Sequence, residues 1–159
     1  MTNSGYFIVH ASSSSIAEKF HKKAQMGYFL YTMEVAGLLC RYINGWCCIN
    51  KTHLSRIYLV TGTFCSAFVL IGISALNTHI SFFFYLALLS AVCVGVGQSF
   101  AESVCLGFLK GFPSGVIGDF GGGTGFAGIF AVVQLAIFRA LGVHDTITFS
   151  IQVISMLVF

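Results

Sequence analysis

The chain has 159 residues, of which 57% are apolar, 15% aromatic and only 8% charged, and its net charge is +3. A soluble domain carries about 25% charged residues, so this composition excludes a soluble fold that covers its surface with charge. The apolar residues instead fall in blocks able to cross a hydrocarbon core of about 30 Å, for which about 20 helical residues suffice. Backbone groups in lipid must pair internally, so the blocks are predicted to be helices and the class an all-α, multi-pass transmembrane bundle.

In chain order, residues 1–25 are polar and serine-rich, with Ser12 to Ser15 followed by Glu18, Lys19, His21, Lys22 and Lys23. They lack the apolar core of a signal peptide and read as a flexible or interfacial tail. A first span is predicted over residues 26–43, weakened by Glu34 and Arg41. Residues 57–76 make a cleaner second span. Residues 82–109 form a long third one, interrupted by Gln98, Ser99, Glu102 and Ser103 and stopped by Lys110 and Pro113. At this length it should tilt or project. A fourth span is predicted over 124–143, with Arg139 snorkelling near its end. The fifth, 147–159, is short, has no polar flank, and reads as cut off.

Lys and Arg in short loops favour the cytosolic side. Arg41, Lys51, Arg56 and Lys110 share one side, which places residues 44–56 and 110–123 in the cytosol. The tail lysines oppose that orientation, and a missing upstream helix would reconcile the two. Cys47 and Cys48, beside Trp46 at a membrane boundary, are chemically suited to palmitoylation. Asn50-Lys51-Thr52 is a glycosylation sequon predicted to be unused on the cytosolic side. Cys40, Cys65, Cys93 and Cys105 lie in spans and form no disulfide framework. The five histidines are scattered without ligand spacing, so no metal is expected. No cofactor is expected either.

The stretch 95–131 places an intramembrane acid, then a Gly/Pro-rich loop, then another apolar helix. Its Ala101-Glu102-Ser103, Phe112-Pro113, Val116-Ile117, Gly123-Thr124-Gly125 and Ala127-Gly128 resemble the battenin family, lysosomal membrane proteins related to the major facilitator and equilibrative nucleoside transporters. Ser55-Arg56 and the helix after it extend the likeness upstream. The chain departs from the family pattern at Asp119-Phe120 and Gly121-Gly122, where two aromatics and two serines are expected, and at Phe126, where glycine is usual. The resemblance implies most of the N-terminal half of a battenin, with about five spans, a partial major-facilitator-like half. It also implies a lysosomal or endosomal/vacuolar membrane, and a part in small-solute export, including glycerophosphodiester clearance, and in lysosomal pH balance.

An ionisable residue in a span seldom faces lipid. Gln98, Ser99 and Glu102 are three and four residues apart and share a helical face, which makes them the candidate transport or proton path. The structural alternative makes Glu102 the cap of a hydrogen-bond network or a neighbour of Lys110. Glu34 and Arg41, spaced i and i+7, also share a face and can each meet a partner on a neighbouring helix. Pro113, Gly123, Thr124, Gly125 and Gly128 mark the family-like loop and the start of the next helix, and Asp119 reads as a solvated loop residue. The literal G-x-G-x-x-G at 123–128 lacks the strand that would make it a nucleotide site. Its glycines, with the Gly121/Gly125, Gly97/Ala101 and Ala127/Ala131 pairs, are better suited to close helix packing than to hinging.

No nucleophile, base and orienting group occur together, so no enzyme is expected. The expected partners are the lipid bilayer, a small polar solute, and a second half-bundle or another copy of the chain. No nucleic-acid partner is expected. Two other readings stay open: a truncated, non-transporting membrane scaffold, and a fragment of an equilibrative nucleoside transporter.

Overall fold

The computed structural model describes residues 2–47 and 52–158. Cys48, Asn50 and Lys51 lie outside them, and with them the palmitoylation and sequon expectations. Six α-helices follow in order: α1 Thr2–Lys19, α2 Met26–Cys47, α3 His53–Leu76, α4 Ser81–Leu109, α5 Ser114–Ala140 and α6 Asp145–Val158. A 3-10 turn, Lys23–Gln25, precedes α2. No strand occurs among the described residues, in keeping with the all-α class.

Short connections run the helices alternately up and down. Lys19 Nζ lies 2.6 Å from Asp145 Oδ2, which sets the end of α1 beside the start of α6. The Lys22 ammonium lies 4.3 Å from the centroid of the Phe84 ring, so the turn after α1 covers the start of α4. On the opposite side, the rings of His53 and Phe108 stand 6.1 Å apart and bring the start of α3 to the end of α4. Helix α4 is the hub, packed against α3, α2 and α1, while α5 rests chiefly on α1 and α6 on α3. Phe29, Phe64, Phe68, Phe84 and Phe149 are the largest fully buried side chains. Phe84 meets both Phe20 and Phe29 edge to face at 5.7 Å, the favoured geometry for aromatic pairs.

Three helices, α3, α4 and α5, are long and apolar enough to cross a membrane. Helix α2 has the length, but with Glu34 and Arg41 it is less apolar and is not among them. Helix α6 is a shorter apolar helix.

Two expectations need correction. The polar N-terminal segment is not a flexible tail, because residues 2–19 form α1. Ile8, Val9, Ile16 and Ala17 are buried in the bundle and recur with the helical period. The serines fit such a site because a small hydroxyl can bond to its own helix, as Ser13 Oγ does to the His10 carbonyl at 2.8 Å.

The glycine-rich stretch after Pro113 is likewise no loop. Helix α5 begins at Ser114, ten residues before the expected start at Thr124, with Pro113 as its N-cap, so Gly123, Thr124 and Gly125 lie inside a helix rather than opening one and Asp119 is an exposed helical residue. Each glycine costs a helix about 1 kcal/mol relative to alanine. An unpaired backbone group in an apolar medium costs several, so the helical hydrogen bonds prevail over the propensity.

A charged groove between the second and fourth helices

The site is set by how closely α2 approaches α4. A Cβ added to Gly95 would lie 2.1 Å from the Met33 carbonyl oxygen, and one added to Gly37 would lie 2.5 Å from Ser99 Oγ. Glycine at both places lets the two backbones approach, the usual device of helix contacts in membranes. Side chains just beyond the crossing can therefore pair between helices.

Three such pairs form. Arg41 Nη2 on α2 donates to Glu102 Oε2 on α4 at 2.5 Å. Gln98 Nε2 on α4 donates to Asn3 Oδ1 on α1. The Tyr6 hydroxyl on α1 donates to Glu34 Oε1 on α2. Each of the three helices is thus tied to the other two. The ion pair is only partly withdrawn from solvent, with side-chain exposures of 57% for Arg41 and 28% for Glu102. Ser99 is buried at 6% exposure, and its backbone carbonyl accepts the Ser103 hydroxyl at 2.8 Å. Gln98 Oε1 is buried without a partner, so one end of that amide is left unsatisfied.

Beside these pairs lies a groove of about 300 Å³, lined by Tyr31, Glu34, Val35, Leu38, Arg41 and Ser99. Charge stands at two points on the α2 wall, with Val35 and Leu38 between. Such a surface can hold a small solute by a few directed polar contacts over an apolar floor.

The sequence-derived candidates divide. Ser99 lines the groove, and Glu102 reaches it through Arg41; Gln98, on the same helix, turns toward α1. Glu102 takes Arg41 as its ionic partner rather than Lys110. Pro113, Gly123, Thr124, Gly125 and Gly128 do not line the groove. Thr124 Oγ1 bonds to the Phe120 carbonyl of its own helix at 3.0 Å, and Gly128 lies against the Phe7 ring.

The packing expected at Gly121 and Gly125 is absent among the described residues, since a Cβ at either would meet nothing within 4 Å. Further along α5, Gly128 meets Phe7 of α1 and Ala131 is fully buried, whereas the glycines at its start leave open space for a Cβ. Gly97, by contrast, is packed, with Phe64 Cδ2 at 3.1 Å from an added Cβ. Asn3 and Tyr6 were missed because their segment read as a flexible or interfacial tail. The helical recurrence of Ile8, Val9, Ile16 and Ala17 is the signal that could have found them.

Over all 159 residues the chain is 28% identical to the battenin of Dictyostelium discoideum, and it spans 37% of that protein's length. This fits the resemblance to part of a battenin drawn from Glu102, Pro113 and the Gly-Thr-Gly segment. No family model matches the chain, and no solved structure does. With three helices able to cross a bilayer, the likeness supports a multi-pass membrane protein in contact with lipid.

Proposed function

We propose that the chain acts as part of a battenin-like carrier of small polar solutes in the membrane of a lysosome or a related acidic organelle. In that setting it supports glycerophosphodiester export and pH homeostasis. The observation that carries this reading is the groove with its Arg41–Glu102 pair, whose α4 side belongs to a helix long and apolar enough to cross a membrane. Charged side chains are costly at membrane depth and are retained there chiefly along solute or ion paths. A carrier of this kind binds its solute between two helical bodies that rock against each other. The reading therefore includes a second half-bundle, or a second copy of this chain, across the groove, and places Gln98, Ser99 and Glu102 along the solute or proton path.

The test is glycerophosphodiester efflux from acidic organelles that lack their own battenin-like protein, loaded and then compared with and without this chain. Wild type should restore efflux, and Glu102→Gln should lower it about tenfold, the worth of one charge-assisted contact. Correctly localised wild-type protein that gives no efflux either alone or together with a second half-bundle would overturn the carrier reading and favour a non-transporting scaffold.

A further inference from the structure

The crossing of α2 and α4 has a second side. Both α2 and α3 pack on α4 and scarcely on each other, so another groove opens between them with α4 as its floor. It holds about 420 Å³. Val92, Val96 and the buried Phe100 of α4 form the floor, and the exposed Leu39 and Ile43 of α2 and Leu59 of α3 form the rim. Among the described residues no charged side chain lines this groove, and the one side chain there able to make strong hydrogen bonds is Asn44.

Asn44 Oδ1 is withdrawn from water and has no hydrogen-bond partner. Buried polar atoms are normally paired, so an orphan acceptor at the edge of an apolar groove calls for a donor brought by whatever fills it. Rotation about the last side-chain bond of asparagine is soft, and it turns the amide toward the groove that Asn44 lines.

Asn44 stands near the end of α2. Two residues on, Trp46 is 78% exposed and stacks on Tyr42 with ring centroids 6.0 Å apart, the kind of pair that anchors a helix at the membrane–water boundary. Because Arg41 meets Glu102, Val92 lies about 20 Å from Asn44 along the helix axis, at 1.5 Å per residue. The groove thus runs from the boundary through more than half of a hydrocarbon core of about 30 Å, polar at the boundary end and apolar below.

That distribution selects among membrane lipids. A phosphate or carboxylate head would find no cation in the described lining. A lone hydroxyl both donates and accepts, and so matches either end of an amide. A rigid body surrenders less conformational freedom than an acyl chain on entering fixed walls. We propose that this groove binds a sterol, its hydroxyl on the Asn44 amide and its ring system along Val96 and Phe100. The site is separate from the charged groove and stands whether or not the chain carries solutes.

The test is photolabelling of the full chain in phosphatidylcholine nanodiscs by a sterol that bears a diazirine, followed by peptide mapping. The label should fall on the groove, and cholesterol should displace it about tenfold better than cholesterol methyl ether, which keeps the rings and lacks the hydrogen-bond donor. Asn44→Leu should erase that difference. Val96→Phe fills the floor and Leu59→Trp closes the exposed rim, and each should lower labelling about tenfold. The rim variant answers the question even if the floor variant fails to fold.

Equal displacement by cholesterol and its methyl ether in wild type would overturn the role of Asn44. Labelling that persists in folded Leu59→Trp would overturn the site itself. A fatty-acyl diazirine that labels the groove and is not displaced by cholesterol would overturn the sterol and make an acyl chain the occupant.

Discussion

Helices α4 and α5 are both long, apolar and rich in glycine, yet they use glycine in opposite ways. In the middle of α4 the glycines are points of contact, where Gly95 admits the Met33 backbone and Gly97 the Phe64 ring, while Gly107 near its end meets nothing. In the first half of α5, Gly115, Gly118, Gly121, Gly122, Gly123 and Gly125 would all meet open space if given a Cβ. A glycine count alone therefore says nothing about packing. What distinguishes the helices is position, since α4 is surrounded by three others whereas α5 rests chiefly on α1.

The largest expected effect comes from closing the contact in α4. Gly95→Ala places a methyl where only backbone can be, 2.1 Å from the Met33 oxygen, and neither backbone can rotate away. The crossing should open at a cost of about 3 kcal/mol, seen as a lower unfolding temperature in detergent micelles. Because the crossing brings Arg41 to Glu102, the groove should be lost with it. Wild-type stability in Gly95→Ala would mean that α2 and α4 do not cross there.

Next in size is the ion pair that the crossing permits. Glu102→Ala leaves the Arg41 guanidinium without its carboxylate, at a cost of about 2 kcal/mol. In a double-mutant cycle, Arg41→Ala with Glu102→Ala should cost less than the two separately, with a coupling of about 1 kcal/mol. Additive effects would show that the two side chains do not meet in the membrane.

In α5 the sign should reverse. Gly121→Ala and Gly122→Ala relieve the conformational freedom of glycine and meet nothing, so each should stabilise the helix by up to about 1 kcal/mol. Their unfolding temperatures should equal or exceed wild type in micelles. Loss of stability that appears only in bilayers would show that another body covers this face, and would turn the difference between α4 and α5 into one of partner rather than of glycine use.

Much of the bundle was legible because lipid permits few backbone solutions. Residues 57–76 and 82–109 read as spans and lie within α3 and α4. The shared face of Glu34 and Arg41 was also legible, since helix period alone sets it. Their partners were not: the distance from Arg41 to Glu102 depends on Gly37 and Gly95 approaching another helix, and no local spacing records such a contact. Residues 114–123 were misread for a related reason. A run of glycine signals a loop where water can satisfy the freed backbone, and here the helix satisfies it instead. Tyr6 and Asn3 were hidden because the polar, serine-rich segment was read as a flexible or interfacial tail, whereas Ser12 and Ser13 lie buried in the bundle.

The smallest expected effect tests where α1 ends, and with it whether the N-terminal segment belongs to the bundle. His21 has φ 56°, a left-handed conformation unfavourable for residues with a Cβ. Its N–H donates to the Glu18 carbonyl at 2.9 Å, and the Lys22 N–H donates to the Ala17 carbonyl at 2.8 Å. That is the paired helix-ending pattern normally built on glycine, and α5 uses it with Gly142 at φ 68°. His21→Gly should therefore stabilise the chain by about 0.5 kcal/mol, whereas His21→Val should destabilise it by more than that. A flexible tail would register neither change. A difference in unfolding temperature between the two variants thus separates a helix stop that turns the chain into α2 from a segment that takes no part in the fold.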